Sequence, residues 1–391
     1  MSERFVIPSS ADELLRKARK VTGVEMVDEE AAKTLPALIN SYNNDSALSE
    51  EKAREVEHYL LTLLCNRLRM QRDFQQHPEI HEQEIKSPVI IVGMARTGST
   101  KTQRILAASG DFNYLPLWQS VSLGSHTGQT NEDTIARIAD GQRFVDWVNR
   151  TAPEMPSIHD FHAEKADEEV FLLANMLRAP YLMGLPQMTS YLKWLENNGA
   201  GVDDQMTFLR DSLKYLQWQG LADPNKRWVL KTAVYFGLES EIQTVFPHAS
   251  LVMTHRQPEQ SLTSTCSMME ATQKPTSDRP LDPEATLACL AVAVNIDRHI
   301  ANRAADIVKT ADVWFNDLIT DTEKVIREIY AKVNEPLSSE SLQRMLDWNS
   351  SNPQHAKGAH KYTLEEFGLT KERVDKDFAG YINLIDDLFG E

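Results

Sequence analysis

Gly93 and Gly98 are separated by four residues, Met94-Ala95-Arg96-Thr97, and are followed at once by Ser99 and Thr100. That combination suits the holding of an anion. Two glycines free the turn, a helix beginning near Ser99 would face its unpaired N–H groups to the loop, and those donors bind anions. The spacing nearly meets the nucleotide-binding pattern GxxxxGK[ST], but Ser99 stands where that pattern carries its lysine. A positive side chain is supplied instead from inside the loop by Arg96, which would point into the same cradle.

Three other places carry chemistry. Arg256 closes the apolar run Leu251-Val-Met-Thr-His-Arg256, and Pro258 then suits the first turn of a helix. On that helix Ser261 and Ser264 or Thr265 lie about one turn apart, and Arg256 could close on a phosphate bidentately. Trp228-Val-Leu-Lys231-Thr232 is a short strand ending in an ammonium and a hydroxyl. His159 and His162 precede Asp167-Glu168-Glu169, which opens a helix. If Glu168 or Glu169 accepts from one ring nitrogen of His159, the other nitrogen is free to take a proton, as general-base catalysis needs. His162, Glu168 and Glu169 themselves are the alternatives for that base.

The elements that must position these groups alternate. Val89 to Val92 are β-branched and apolar on both faces, as a central parallel strand requires, with Pro88 at the strand start. Ile105 and Leu106 give the loop helix its apolar side. A helix from about Asp203 to Gln219 leads into the Lys231 strand, and Leu238, Ile242, Val245 and Phe246 mark the next crossover, so an α/β fold with a parallel sheet flanked by helices is expected. Ahead of it, residues 11 to 20 and 29 to 41 have helical patterns, and Ser49 could cap a long helix with Val56, Tyr59, Leu60, Leu63, Leu64, Leu68 and Met70 as its apolar set. Arg67 falls on that face and is expected to turn its charge outward. Gln75 to Ile85 reads as the connection, dividing the chain into an N-terminal helical subdomain, 1–85, and a catalytic domain, 86–391.

The segment from Leu177 to Trp194 is rich in large apolar residues (Tyr181, Leu182, Met183, Leu185, Met188, Tyr191, Trp194) and is broken by Pro180, Gly184 and Pro186. It offers either walls for an acceptor pocket or ordinary packing. Ser267 to Asp282 is rich in Ser, Thr, Pro and charge and reads as a loop beside Arg256, with a lid as one use.

Arg96-Thr97-Gly98-Ser99-Thr100 resembles the loop by which sulfotransferases hold the 5′-phosphosulfate end of their donor, 3′-phosphoadenosine 5′-phosphosulfate (PAPS). The resemblance implies a P-loop-type sulfotransferase fold of the bacterial branch and extends to four more places. Arg256 and Ser264 have the separation of the family's arginine and serine at the 3′-phosphate. Lys231-Thr232 matches the element that approaches the sulfuryl group. Lys357-Gly358 resembles the basic-Gly element over the 3′-phosphate, and the following His360-Lys361-Tyr362 opens a tail common in bacterial members. His159 stands nine residues before Glu168, as a histidine near the acceptor does in bacterial relatives. Three residues depart from the pattern. Ala233 stands where many eukaryotic cytosolic members carry a histidine base, Tyr235 where bacterial relatives carry one, and Gln119 replaces a glutamate usual after Trp118. The loop cation is also arginine, which acts as a fixed charge.

The resemblance implies transfer of a sulfuryl group from PAPS to a hydroxyl, or as second choice an amine, of a small and partly apolar acceptor, with release of 3′-phosphoadenosine 5′-phosphate (PAP). Positioning and charge carry such a reaction, and no metal is required. Two other readings compete: a P-loop kinase or NTPase, and a PAP- or nucleotide-binding protein without turnover, for which Ala233 and Gln119 argue.

Composition sets the limits. The 391 residues are 41% hydrophobic and carry a formal charge of −16, which fits a globular protein and disfavours sequence-independent nucleic-acid binding. Cys65, Cys266 and Cys289 form no paired or metal-ligand spacing and point to a reducing compartment. Met-Ser-Glu-Arg-Phe lacks a signal-peptide profile, and the run from Ala288 to Val294 is too short to span a bilayer, so a cytoplasmic protein is expected. A homo-oligomer is compatible with all of this.

Overall fold

The computed structural model describes residues 5–184, 187–280, 282, 292–305, 310–353 and 363–390. Its frame is a five-stranded sheet, β1 Val89–Val92, β2 Asn113–Tyr114, β3 Trp228–Lys231, β4 Ser250–His255 and β5 Thr310–Trp314, in the order β2-β3-β1-β4-β5. Every pairing is parallel. All four residues of β1 are buried, as its unbroken apolar run demands of a strand covered on both faces. Ile90, Val92, Leu230 and Met253 pack to one side, with Trp228 and Tyr235. Val89, Ile91, Val229 and Val252 pack to the other, against Val325, Ile326 and Ile329 of the helix Thr322–Val333.

Parallel pairing decides where the chemistry sits. β1 is flanked by β3 and β4, so the chain crosses to opposite sides of it and leaves a crevice at the carboxyl edge, where open α/β sheets bind ligands. Gly93, Thr232, Arg256 and Phe315 all leave strands at that edge.

The N-terminal helices Ala11–Thr22, Glu29–Asp45 and Glu50–Gln76 start where the sequence supplies caps: the side chains of Ser10, Asp28 and Ser49 accept from the N–H groups of Glu13, Ala31 and Lys52. Their core continues into Phe144, Trp147, Val148 and Tyr191. Arg67 does not turn outward. Its guanidinium donates to both carboxylate oxygens of Asp28, at 2.5 and 2.9 Å, and to the carbonyls of Asn175 and Met176, because a cap carboxylate and two free carbonyls together satisfy the charge inside. The stretch expected to be a loop from Ser267 begins as helix instead: Pro258–Gln273 runs on through Ser267, whose side chain is buried. Cys65 and Cys266 are buried free thiols.

Candidate active site

The loop after β1 is shaped by contacts only glycine permits. Gly93 has φ 140°, and a Cβ there would lie 2.5 Å from the carbonyl oxygen of Thr254. Gly98 has φ 96°, and its Cβ would meet Leu318 at 2.9 Å. Between them Thr97 is buried: its hydroxyl donates to the Met94 carbonyl at 2.7 Å and pairs with the Thr254 hydroxyl at 2.6 Å, fastening the loop to β4. Arg96 adopts a left-handed φ of 69°, a strained state for a side chain of this size that neighbours must hold. Helix Ser99–Ala108 then starts as expected, with Gly98 as its N-cap.

Above the loop lies a cleft of about 1070 Å³. Arg96, Gly98, Ser99, Thr100, His159, Glu168, Arg256 and Ser264 line it. Arg96 donates from Nε to Ser264 Oγ at 2.9 Å, and Arg256 donates to the Arg96 carbonyl at 3.2 Å. Arg256 also stacks on the Phe315 ring, 4.3 Å from its centroid, and donates to Gln260 at 3.1 Å. Among the described residues it has no carboxylate partner; burial, then the neighbouring Arg96, lower its pKa. The serine and threonine neighbours on the helix divide. Ser261 and Thr265 are buried and donate to the backbone carbonyls of Pro258 and Ser261, while Ser264 faces the cleft.

Lys231 is 1% exposed and does not itself line the cleft; its ammonium meets two residues that do. Nζ donates to Thr100 Oγ1 at 3.0 Å and to Glu168 Oε1 at 2.5 Å; the other Glu168 oxygen accepts from the Thr232 hydroxyl at 2.9 Å. The Lys231 N–H points to the Glu169 carboxyl at 2.8 and 3.0 Å. Glu169 is fully buried, and burial pushes its pKa up to about 8 against the pull of that N–H.

Neither Glu168 nor Glu169 is the partner of His159, because both are drawn to the end of β3. Asp167 takes that place: His159 Nε2 lies 3.1 Å from each of its oxygens. Asp167 also accepts from the Glu168 N–H at 2.9 Å and from Arg104 at 3.3 Å. Burial opposes its charge, but His159 and Arg104 hold its carboxyl well below the usual range. An ionised carboxylate only accepts, so Nε2 carries the proton and Nδ1 is the basic nitrogen. Arg104, one turn into the loop helix, ties that helix to the acid loop through the carbonyls of Asp160 and Ala166. His162 pairs with Asp160 at 2.9 Å and also borders the cleft.

Of the two uses open to the stretch from Leu177 to Trp194, packing is the one observed. Tyr181, Leu182, Met183, Met188 and Tyr191 fill the buried cores and line no part of the cleft; Leu185 lies outside the described residues. Lys357, Gly358 and the His360-Lys361-Tyr362 run are likewise outside the described residues. Tyr235 is fully buried, and burial drives its phenol far above its ordinary range, which removes it as a base. Ala233 lines the cleft with a methyl group. Asp167, Arg104 and Phe315 carry no functional reading from sequence; Asp167 is the first acid of a triplet whose other two members, Glu168 and Glu169, are the ones the sequence offers to His159.

The sequence profile described as the sulfotransferase family matches residues 88–339, which span β1 to β5 and every described site residue above. The chain belongs to the sulfotransferase family. This sulfotransferase is similar in structure to STF1 of Mycobacterium tuberculosis H37Rv, at 26% identity and TM-score 0.74, covering 96% of this chain and 100% of that one. STF9 of Mycobacterium avium shares its fold at 24% identity and TM-score 0.80, with 98% of both chains covered. No curated protein matches it. The kinase or NTPase reading gains no support from these likenesses. No described helix is long and apolar enough to cross a membrane.

Proposed function

We propose that this sulfotransferase moves the sulfuryl group of PAPS to a hydroxyl of a small acceptor and releases PAP. The observation that carries the reading is the convergence of Arg256, Ser264 and the Lys231 ammonium, from three different elements, on the phosphate-type loop that carries Arg96 and Thr100. The loop N–H groups and hydroxyls of Ser99 and Thr100 suit the 5′-phosphate, and Arg256 with Ser264 suits the 3′-phosphate. Arg96 and Lys231 then stand where charge grows on the bridging oxygen as the S–O bond to the phosphate breaks. His159 Nδ1 takes the acceptor proton as the new S–O bond forms. Asp167 positions the ring and stabilises the imidazolium.

Sulfur-labelled PAPS offered with a panel of alcohols, phenols and sugars tests the reading. Label should reach an acceptor without added magnesium. Activity with ATP and magnesium, and none with PAPS, would overturn it.

A further inference from the structure

His255, the last residue of β4, is fully buried between two polar partners. Its Nε2 lies 2.9 Å from Asp312 Oδ1, and its Nδ1 lies 3.1 Å from the Tyr381 hydroxyl. Asp312, on β5, also accepts from both ends of the Arg303 guanidinium, at 2.7 and 3.0 Å. Burial opposes its charge, but His255 and Arg303 hold its carboxyl below the usual range. Burial also lowers the pKa of His255, which keeps the ring neutral. An ionised carboxylate only accepts, so Nε2 carries the ring proton, Nδ1 accepts, and the Tyr381 O–H donates to it. The phenol oxygen keeps its lone pairs for another donor. That donor is the Arg256 N–H, which pulls the Tyr381 pKa down against the larger upward push of burial. Tyr381 belongs to the helix Ala379–Phe389, is fully buried, and stacks on the His255 ring with centroids 5.8 Å apart; Phe389 of the same helix closes on that ring from its edge. A buried network with each member partnered is rigid. Its end point matters because the β4–β5 register stops at His255 and Trp314, so Arg256 is the first residue beyond the ladder. The guanidinium's own contacts, with Phe315, Gln260 and the Arg96 carbonyl, can aim it only once the main chain there is fixed.

We propose that Tyr381 is a positioning residue for the donor site: its hydroxyl, oriented by His255 and Asp312, holds the main chain at Arg256 so that the guanidinium meets the 3′-phosphate, which makes the C-terminal helix part of donor selection. The ligand in this statement rests on the PAPS reading, but the hold on Arg256 is testable without one. Tyr381→Phe in the full chain keeps the stacked ring and removes only the hydroxyl. Calorimetry without magnesium should show PAP weakened at least fivefold and adenosine 5′-phosphosulfate, which has no 3′-phosphate, within twofold of wild type. Placed in an Arg256→Ala background, Tyr381→Phe should add no further loss of PAP affinity, since the tyrosine acts through the arginine. Unchanged PAP affinity, equal losses for the two ligands, or losses that add in full in the double variant would overturn the proposal, the last two being the marks of a merely structural tyrosine. Wild-type protein that binds PAP no more tightly than adenosine 5′-phosphosulfate would contradict the function proposed above instead. The hold on Arg256 would then be decided in the ligand-free chains by nitrogen-15 NMR of the Arg256 Nε–H, identified by its absence in Arg256→Ala and placed against the Phe315 ring. That signal should move in Tyr381→Phe; an unmoved signal overturns the positioning role.

Discussion

The Lys231 ammonium lies 2.5 Å from Glu168 Oε1, so the cation proposed to meet the sulfuryl group is already paired with a carboxylate that lines the same cleft. Glu168 is 20% exposed at its side chain and Lys231 1%, which makes the pair a shielded one whose carboxylate repels any incoming anion. Glu168→Gln keeps both hydrogen-bond acceptor and shape while removing that charge. PAP should then bind several-fold more tightly, and stability should drop by about 1–3 kcal/mol because a buried ammonium loses its counter-charge. Weaker PAP binding in calorimetry would show that the carboxylate serves the donor in another way.

His159 and Asp167 should fail together. His159→Ala should lower turnover by about a hundredfold or more, a typical general-base contribution, with PAP affinity near wild type. Asp167→Asn should cost a similar factor by disturbing the tautomer, and the double variant should be no worse than either single one. Full turnover of His159→Ala across about pH 6 to 8 would pass the role to another group.

Glu169 makes a pH prediction with a definite sign. Its folded pKa of about 8 lies above the ordinary value for glutamic acid, so the folded state holds the extra proton and gains from it below that ordinary value. The gain is lost as pH rises from about 4.3 toward about 8, at roughly 1.4 kcal/mol per unit. Glu169→Gln removes this dependence while keeping an acceptor for the Lys231 N–H. Urea melts of both proteins across that window should therefore diverge in slope; parallel curves would mean that Glu169 is ionised throughout.

Much of this arrangement is legible in the sequence, for a physical reason. Where local covalent geometry dictates the outcome, residue type alone suffices: Gly93 and Gly98 are demanded by positive φ and close approach, Ser49 by its cap, and Val89–Val92 by burial on both faces. The resemblance to sulfotransferases added Ser264 and Lys231 to one site, which no local pattern links. What sequence does not carry is the choice among near neighbours. Asp167, Glu168 and Glu169 are chemically alike, and only the fold sends the first to His159 and the other two to Lys231. Arg67 misled for the same reason, since its partner Asp28 is remote in sequence and its rescue inside the protein is tertiary. The aromatic and methionine stretch from Leu177 showed composition suited to a pocket and to a core alike, and the core has it.

The central claim is a site built for a 3′-phosphate, and calorimetry of PAP and ATP against wild-type and Arg256→Ala protein, without magnesium, tests it most directly. PAP should bind the wild type far more tightly than ATP and raise its melting temperature by mass action. Arg256→Ala should weaken PAP by about 2 kcal/mol or more, since a shielded and charge-assisted contact is lost, and leave adenosine 5′-phosphosulfate, which lacks the 3′-phosphate, nearly unaffected. ATP bound as tightly as PAP, or equal losses for PAP and adenosine 5′-phosphosulfate in Arg256→Ala, would contradict the account.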